Sequence, residues 1–167
     1  AETESWRAQG MRATATGTVD FFGLKLDVGA LVDEPDDYLR QPFFSCGAWC
    51  FLAVQCGGIA AVFEAHRAHL VETGRGGDPH QRARFGEAAT RVETARLFVV
   101  RAAEAAVAAE ADPEAAIAYV NLARGAVERA GLDVIELAQR SVGLLGFLEI
   151  QPLERRVRDL ATYLRQP

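Results

Sequence analysis

The chain has 167 residues, half of them hydrophobic, with 23 acidic side chains against 18 basic ones and a formal net charge of −5. That length suits one domain, the apolar content suffices for a core and excludes a disordered polymer, and the acid excess without a dense basic patch argues against nucleic acid as a partner. Alanine is abundant, which favours helix.

The opening AETESWRAQG lacks the apolar stretch of a secretory leader. Residues 4–32 read as strand. Thr14, Thr16, Thr18 and Asp20 alternate with Ala13, Ala15, Gly17, Val19 and Phe21, and after Gly23 the residues Leu24, Leu26 and Val28 alternate with Lys25 and Asp27. This predicts two strands or one bulged strand, marginal unless they edge a larger sheet. Asp33-Glu-Pro-Asp-Asp37 is an acidic link.

The rest is predicted helical. Helix one runs from Phe43 to Thr73 and ends at Gly74-Arg75-Gly76-Gly77. Its first part, Phe43 to Phe63, holds no charge and is long enough to span a bilayer, but three Cys, three Gly, Ser45 and Gln55, with Glu64, His66 and Arg67 following, read as a central core helix, so no membrane partner is expected. Asp78-Pro79-His80-Gln81 opens helix two with an N-cap Asp, a Pro at the first helical position and a capping-box Gln, and the helix continues to about Glu110. Asp112-Pro113 opens helix three, with Ile117, Val120, Val127, Val134 and Leu137 at helical spacing, ending near Arg140. A glycine corner, Gly143-Leu-Leu-Gly146, follows. Pro152 opens helix four, whose apolar stripe is Leu153, Val157, Leu160 and Leu164. The expected fold is mainly α, an antiparallel four-helix bundle with a short N-terminal β-hairpin or strand segment. Residues 1–37 form a β remnant and linker, and residues 38–167 the bundle.

The three cysteines, Cys46, Cys50 and Cys56, lie within eleven residues, too close on one helix for a disulfide framework. Free thiols fit a reducing, cytoplasmic setting. Cys50 and His66 stand about 24 Å apart along helix one, so one zinc cannot hold both the Cys46/Cys50 and His66/His69 pairs. Core cysteines and surface histidines are expected instead, with no metal. Ser45 and Ser141 lack the Gly-x-Ser-x-Gly setting of a hydrolase nucleophile. Arg75, just before a helix N-terminus, has the placement to meet a phosphate, while PLERRVRD at 152–159 has the composition of a solvated face with internal ion pairs.

Six stretches together resemble the acyl-CoA dehydrogenase superfamily. Trp6-Arg-Ala-Gln-Gly10-Met11-Arg12-Ala-Thr14 is similar to a late strand of its middle β-domain, and Val19-Asp20-Phe21 to the next. Gly57-Gly58-Ile-Ala resembles the first helix of the C-terminal domain, and Ala95-Arg96-Leu97 the second. Gly143-Leu-Leu-Gly146-Phe147 resembles the glycine loop, and Pro152-Leu-Glu154-Arg155 with Arg158-Asp159 the last helix.

The resemblance implies the C-terminal part of an FAD flavoprotein acting on CH–CH groups of acyl thioesters, with an acyl-CoA-type small molecule as partner and a homo-dimer or homo-tetramer as the assembly. It makes Arg75, Gln81, Gly143 and Gly146 the cofactor-binding candidates, and implies that FAD is held by the longer parent protein and not by this fragment alone. It assigns no catalytic residue. The family's Tyr-Glu-Gly-Thr base motif is absent after Asp159, where LATYLRQP stands, and Ala48-Trp49-Cys50, the alternative position, holds no carboxylate. A flavin monooxygenase or oxidase of the same fold, and a non-catalytic helical oligomerisation module, are the other readings.

Overall fold

The computed structural model describes residues 2–165. It is a helical bundle: α1 (Phe43–Cys46), α2 (Trp49–Glu72), α3 (Pro79–Val107), α4 (Pro113–Val142) and α5 (Pro152–Tyr163). The predicted first helix is thus divided at Gly47-Ala48, where i→i+3 bonds from Cys50 to Gly47 and from Phe51 to Ala48 tighten the turn. Asp78 and Asp112 cap α3 and α4 as read, accepting from the Gln81 N–H at 2.9 Å and the Ala115 N–H at 3.1 Å. Gln81 does not close a capping box, because its side chain turns into the interior and the Asp78 N–H bonds the Arg75 carbonyl instead.

The most extensive helix contact joins α3 to α4, and its chemistry is unusual. Every fully buried apolar residue of α3 is alanine: Ala88, Ala95, Ala102 and Ala105, with Ala109 just beyond. Four of these recur every seven residues. On α4, Ala116, Ala123 and Ala130 recur at the same interval, beside Val120, Val127 and Val134. Small side chains at heptad spacing form a narrow seam, and each methyl leaves little slack for a larger group. Helix α2 closes the core with Leu52, Ile59 and Val62, and α5 adds the four residues of its predicted stripe. Two glycines receive that stripe: a Cβ on Gly58 would stand 2.9 Å from Leu160, and one on Gly131 2.8 Å from Leu164. By length and composition Phe43–Glu72 is apolar enough to cross a membrane, although its inner face, including Leu52, Ile59, Val62 and Leu70, is part of the bundle interior.

His66, expected at the surface, is completely buried between α2 and α3. Its ring meets Phe85 edge-on at 5.5 Å, while Phe63 stacks on the same Phe85 at 4.6 Å. Neither imidazole nitrogen has a protein partner among the described residues. Burial, with His69 and Arg84 as smaller contributions, lowers its pKa from 6.5 to about 4, so the ring is neutral in the fold.

The N-terminal strands do not form. Glu2 and Thr18 make a single antiparallel bridge, and short 3-10 turns occupy Arg12–Thr14 and Val28–Ala30. An alternating pattern needs a sheet to cover its apolar face, and here Phe21, Phe22, Leu24, Leu26 and Val28 are all exposed. Left-handed backbone at Met11, Ala15 and Gly23 also interrupts any extended run.

Residues 6–12 form a strap fastened to α5. The Met11 N–H donates to Asp159 Oδ1 at 2.7 Å, and the Met11 carbonyl accepts from the Trp6 indole at 3.0 Å. Arg158 donates to the Gln9 carbonyl at 2.8 Å while pairing with Glu154. Gly10 packs so closely that a Cβ there would lie 2.1 Å from the Arg158 carbonyl oxygen. The strap motif and the Arg158-Asp159 motif, nearly 150 residues apart, are two halves of one contact.

Three outcomes follow from this packing. Ala102→Leu should lower the urea unfolding free energy by about 1–3 kcal/mol or more through overpacking, while Ala83→Leu on the exposed face should change it by less than about 0.5 kcal/mol. Gly10→Ala should release the strap, seen as a red shift and increased quenching of Trp6 fluorescence with the helical circular dichroism unchanged. Because the folded pKa of His66 lies below the unfolded one, the unfolded chain takes up the proton first. The His66 contribution is therefore complete above pH 6.5 and is lost as pH falls toward about 4, at a total cost of about 3 kcal/mol. His66→Phe should remove that part of the slope, and an unchanged pH profile would contradict the assignment.

Candidate functional site

One end of the bundle gathers the turn after α2, the start of α3 and the glycine corner after α4. Gly74 adopts a left-handed conformation at φ 65°, which swings the chain back into a 3-10 turn over Arg75–Gly77. From that turn Arg75 Nη1 donates to the Ser141 carbonyl at 3.2 Å, across 66 residues of chain. Two residues on, Gly143 ends α4 at φ 74°, ψ −151°, a region open essentially to glycine alone. No heavy atom lies within 4 Å of a notional Cβ there, so its backbone is open on that side.

The four sequence candidates divide into two kinds. Arg75 and Gly143 are both exposed, and Arg75 reaches the Ser141 carbonyl two residues before Gly143. Gly146 is buried, with a notional Cβ 3.2 Å from Leu153 and 3.3 Å from Val142, so it shapes the corner from within. Gln81 is 2% exposed, and its Oε1 has no protein partner among the described residues. Sequence reading missed Ser141, weighed only as a nucleophile: its hydroxyl is equally buried and unpartnered, beside the carbonyl that holds Arg75. The one signal available was its place two residues before Gly143. The glycine corner itself is a 3-10 stretch, Gly143–Phe147, with Leu144 and Phe147 turned outward.

Both signs of charge stand at this end, Arg75 on the turn and Asp78 at the start of α3. Asp78 is the nearest acid of the α3 start, and the backbone N–H of Gln81 holds its carboxyl below the usual range, keeping it ionised as a cap. Arg75 uses one guanidinium nitrogen on Ser141 and enters no ion pair among the described residues, leaving further donors for a ligand. A cavity of about 440 Å³ lies on the other side of the corner, between Gly146, Phe147, Gln139 and the strap residue Gln9, with Glu154 and Arg158 on its wall. The charged run at 152–159 is therefore more than a solvated face: Arg158 and Asp159 fasten the strap and Arg156 donates to the Ala61 carbonyl.

No carboxylate stands on Leu160–Arg165, the end of the last helix. Asp159, the closest, is engaged by the Met11 N–H. Among the described residues no three His, Cys, Asp or Glu side chains group to hold a metal ion. Cys46 is buried and Cys50 exposed, and both thiols are free.

Compared with known families, residues 39–164 match the model described as acyl-CoA dehydrogenase, C-terminal domain. No curated protein and no solved structure matches the chain. The match runs from the link before α1 to the end of α5, taking in all the helices and the glycine corner, and on that extent the chain belongs to the acyl-CoA dehydrogenase family through its C-terminal helical domain.

Proposed function

We propose that this domain serves an FAD-dependent oxidoreductase that acts on CH–CH bonds of acyl-CoA thioesters, and that it holds the diphosphate end of the cofactor. The observation that carries this reading is the Arg75–Ser141 junction, which sets a guanidinium with free donors against a turn that only glycine can make. Gly143 leaves main chain uncovered for close approach, and the buried Ser141 hydroxyl and Gln81 Oε1 are polar atoms without protein partners among the described residues. FAD, when bound, supplies a hydride acceptor for the β-carbon. This chain's part is then to anchor, to orient and, through the exposed apolar residues Leu144, Phe147, Leu97 and Val100, to associate with further copies as a dimer or tetramer. Its free thiols suit a cytoplasmic setting.

A second reading, a flavin monooxygenase or oxidase of the same fold, is favoured by one observation. A dehydrogenase of this kind needs a base within hydrogen-bond reach of the α-proton. Neither the stretch after Asp159 nor Ala48-Trp49-Cys50 supplies a carboxylate, and Asp159 is committed to the strap. Oxygen chemistry on a flavin does not require that base.

In the flavin-binding protein that contains this domain, Arg75→Gln should weaken FAD about tenfold or more, the scale of one lost charge-assisted phosphate contact, measured by quenching of flavin fluorescence on titration into apoprotein. Unchanged affinity would remove Arg75 from the site. Anaerobic bleaching of the flavin band by acyl-CoA supports the dehydrogenase. Bleaching only by an external reductant, with oxygen-dependent product formation, selects the monooxygenase.

A further inference from the structure

The last turns of α2 face the start of α5 across a small cavity that neither the cofactor reading nor the strap uses. Its volume is about 170 Å³, below the roughly 300–1,000 Å³ of sites for drug-sized ligands. None of Arg75, Gln81, Ser141, Gly143 and Gly146 lines it, nor does any residue of the strap or of Ala48-Trp49-Cys50. The floor is apolar: Ala65, Val142 and Leu153 are buried there, with Ala68 beside them.

We propose that this cavity binds a short, unbranched ω-amino acid. Two opposite charges line it, Glu72 of α2 and Arg156 of α5, and among the described residues neither enters an ion pair, with the other or with any third group. Glu72 is the last residue of α2, where the helix dipole is negative and disfavours a carboxylate. Arg156 donates one guanidinium nitrogen to the Ala61 carbonyl at 3.3 Å, which holds the head against α2 and leaves further donors. A ligand with an ammonium for Glu72 and a carboxylate for Arg156 answers both charges. His69, on the same wall, keeps a buried Nε2 without a partner among the described residues, so a hydrogen bond is unmet there as well.

The spacing along α2 sets the length of the ligand. Ala61, Ala65, Ala68 and Glu72 share one face of the helix. Arg156 is held at Ala61, and Glu72 lies eleven residues on, roughly 16 Å along the axis. A helical side chain leans back by about one turn toward the N-terminus, which leaves roughly 10 Å between the two charges. An extended four-carbon ω-amino acid closes that gap with a charge-assisted hydrogen bond of about 2.8 Å at either end. An α-amino acid, whose charged groups sit on neighbouring carbons, reaches only one of the two. The methylenes then lie on the apolar floor, and the bound ligand joins α5 to α2.

The test uses the purified chain at constant ionic strength and four probes: 4-aminobutyrate, its isomer 2-aminobutyrate, butyrate and butylamine, each followed by amide chemical-shift changes during titration. The 4-amino compound should bind saturably and shift the amides of Ala65, His69 and Leu153, with the other three each about tenfold weaker or more. Glu72→Gln should bring 4-aminobutyrate down to the level of butyrate, and Arg156→Gln down to that of butylamine. Both side chains are exposed, so neither change opens the core, and the comparison of the four probes needs no variant. The proposal is overturned if butyrate or butylamine binds as well as 4-aminobutyrate, if the 2-amino isomer does, or if no probe shifts those amides saturably.

Discussion

The structure depends on the alanine seam between α3 and α4. Its alanine methyls hold the two backbones close, and Phe98 of α3 stacks on Tyr119 of α4 at 6.2 Å beside them. Seven-residue spacing keeps Ala88, Ala95, Ala102 and Ala109 on one line, and Ala116, Ala123 and Ala130 on another. An ion pair from Arg91 to Asp133 at 3.0 Å links the same two helices. With that pair held rigid, α2 and α5 have a fixed surface to pack on, and the larger side chains of the core, Leu52, Ile59, Leu160 and Leu164, belong to them. Gly58 and Gly131 are then explained as receiving positions for the leucines of α5.

The second constraint ties the ends of the chain. The strap reaches α5 through main-chain atoms more than through side chains: the Met11 N–H, the Gln9 carbonyl and the bare Cα of Gly10. Such a contact tolerates no Cβ at residue 10, and it commits Asp159 and Arg158 to architecture. The same commitment limits the chemistry, because it occupies the acid that stands closest to where a base is sought.

At the glycine corner, function and backbone strain coincide. Gly143 sits where other residues would be strained, and a second glycine-dependent turn at Gly74 brings Arg75 to the carbonyl of Ser141, two residues earlier. Both loops lie over a rigid helical scaffold, an arrangement in which small loop movements do not disturb the core. The buried, neutral His66 lies on the inner face of α2, near the same end, and makes the packing of α2 on α3 sensitive to acid.

The sequence by itself determined the long helices, the Asp78 and Asp112 caps and the glycine punctuation, because these depend on neighbours within one or two turns, but not the break at Gly47-Ala48 or the inward turn of Gln81. Asp78-Pro79, Asp112-Pro113 and Pro152 announce helix starts, and the Leu153–Leu164 stripe announces a buried face. The family was legible for the same reason, through short motifs kept in order. Only the tertiary structure decided what those motifs touch. Alanine stands on both exposed and buried helix faces here, so the seam was hidden in a composition that merely favoured helix. The alternating N-terminal residues looked like strands, yet strand formation needs a partner sheet that a linear pattern cannot supply, and they became turns and a strap. His66 read as a surface residue until Phe63 and Phe85 enclosed it. Ser141 meets Arg75, and Asp159 meets Met11, across 66 and 148 residues, and contacts of that separation are set by packing and not by local sequence.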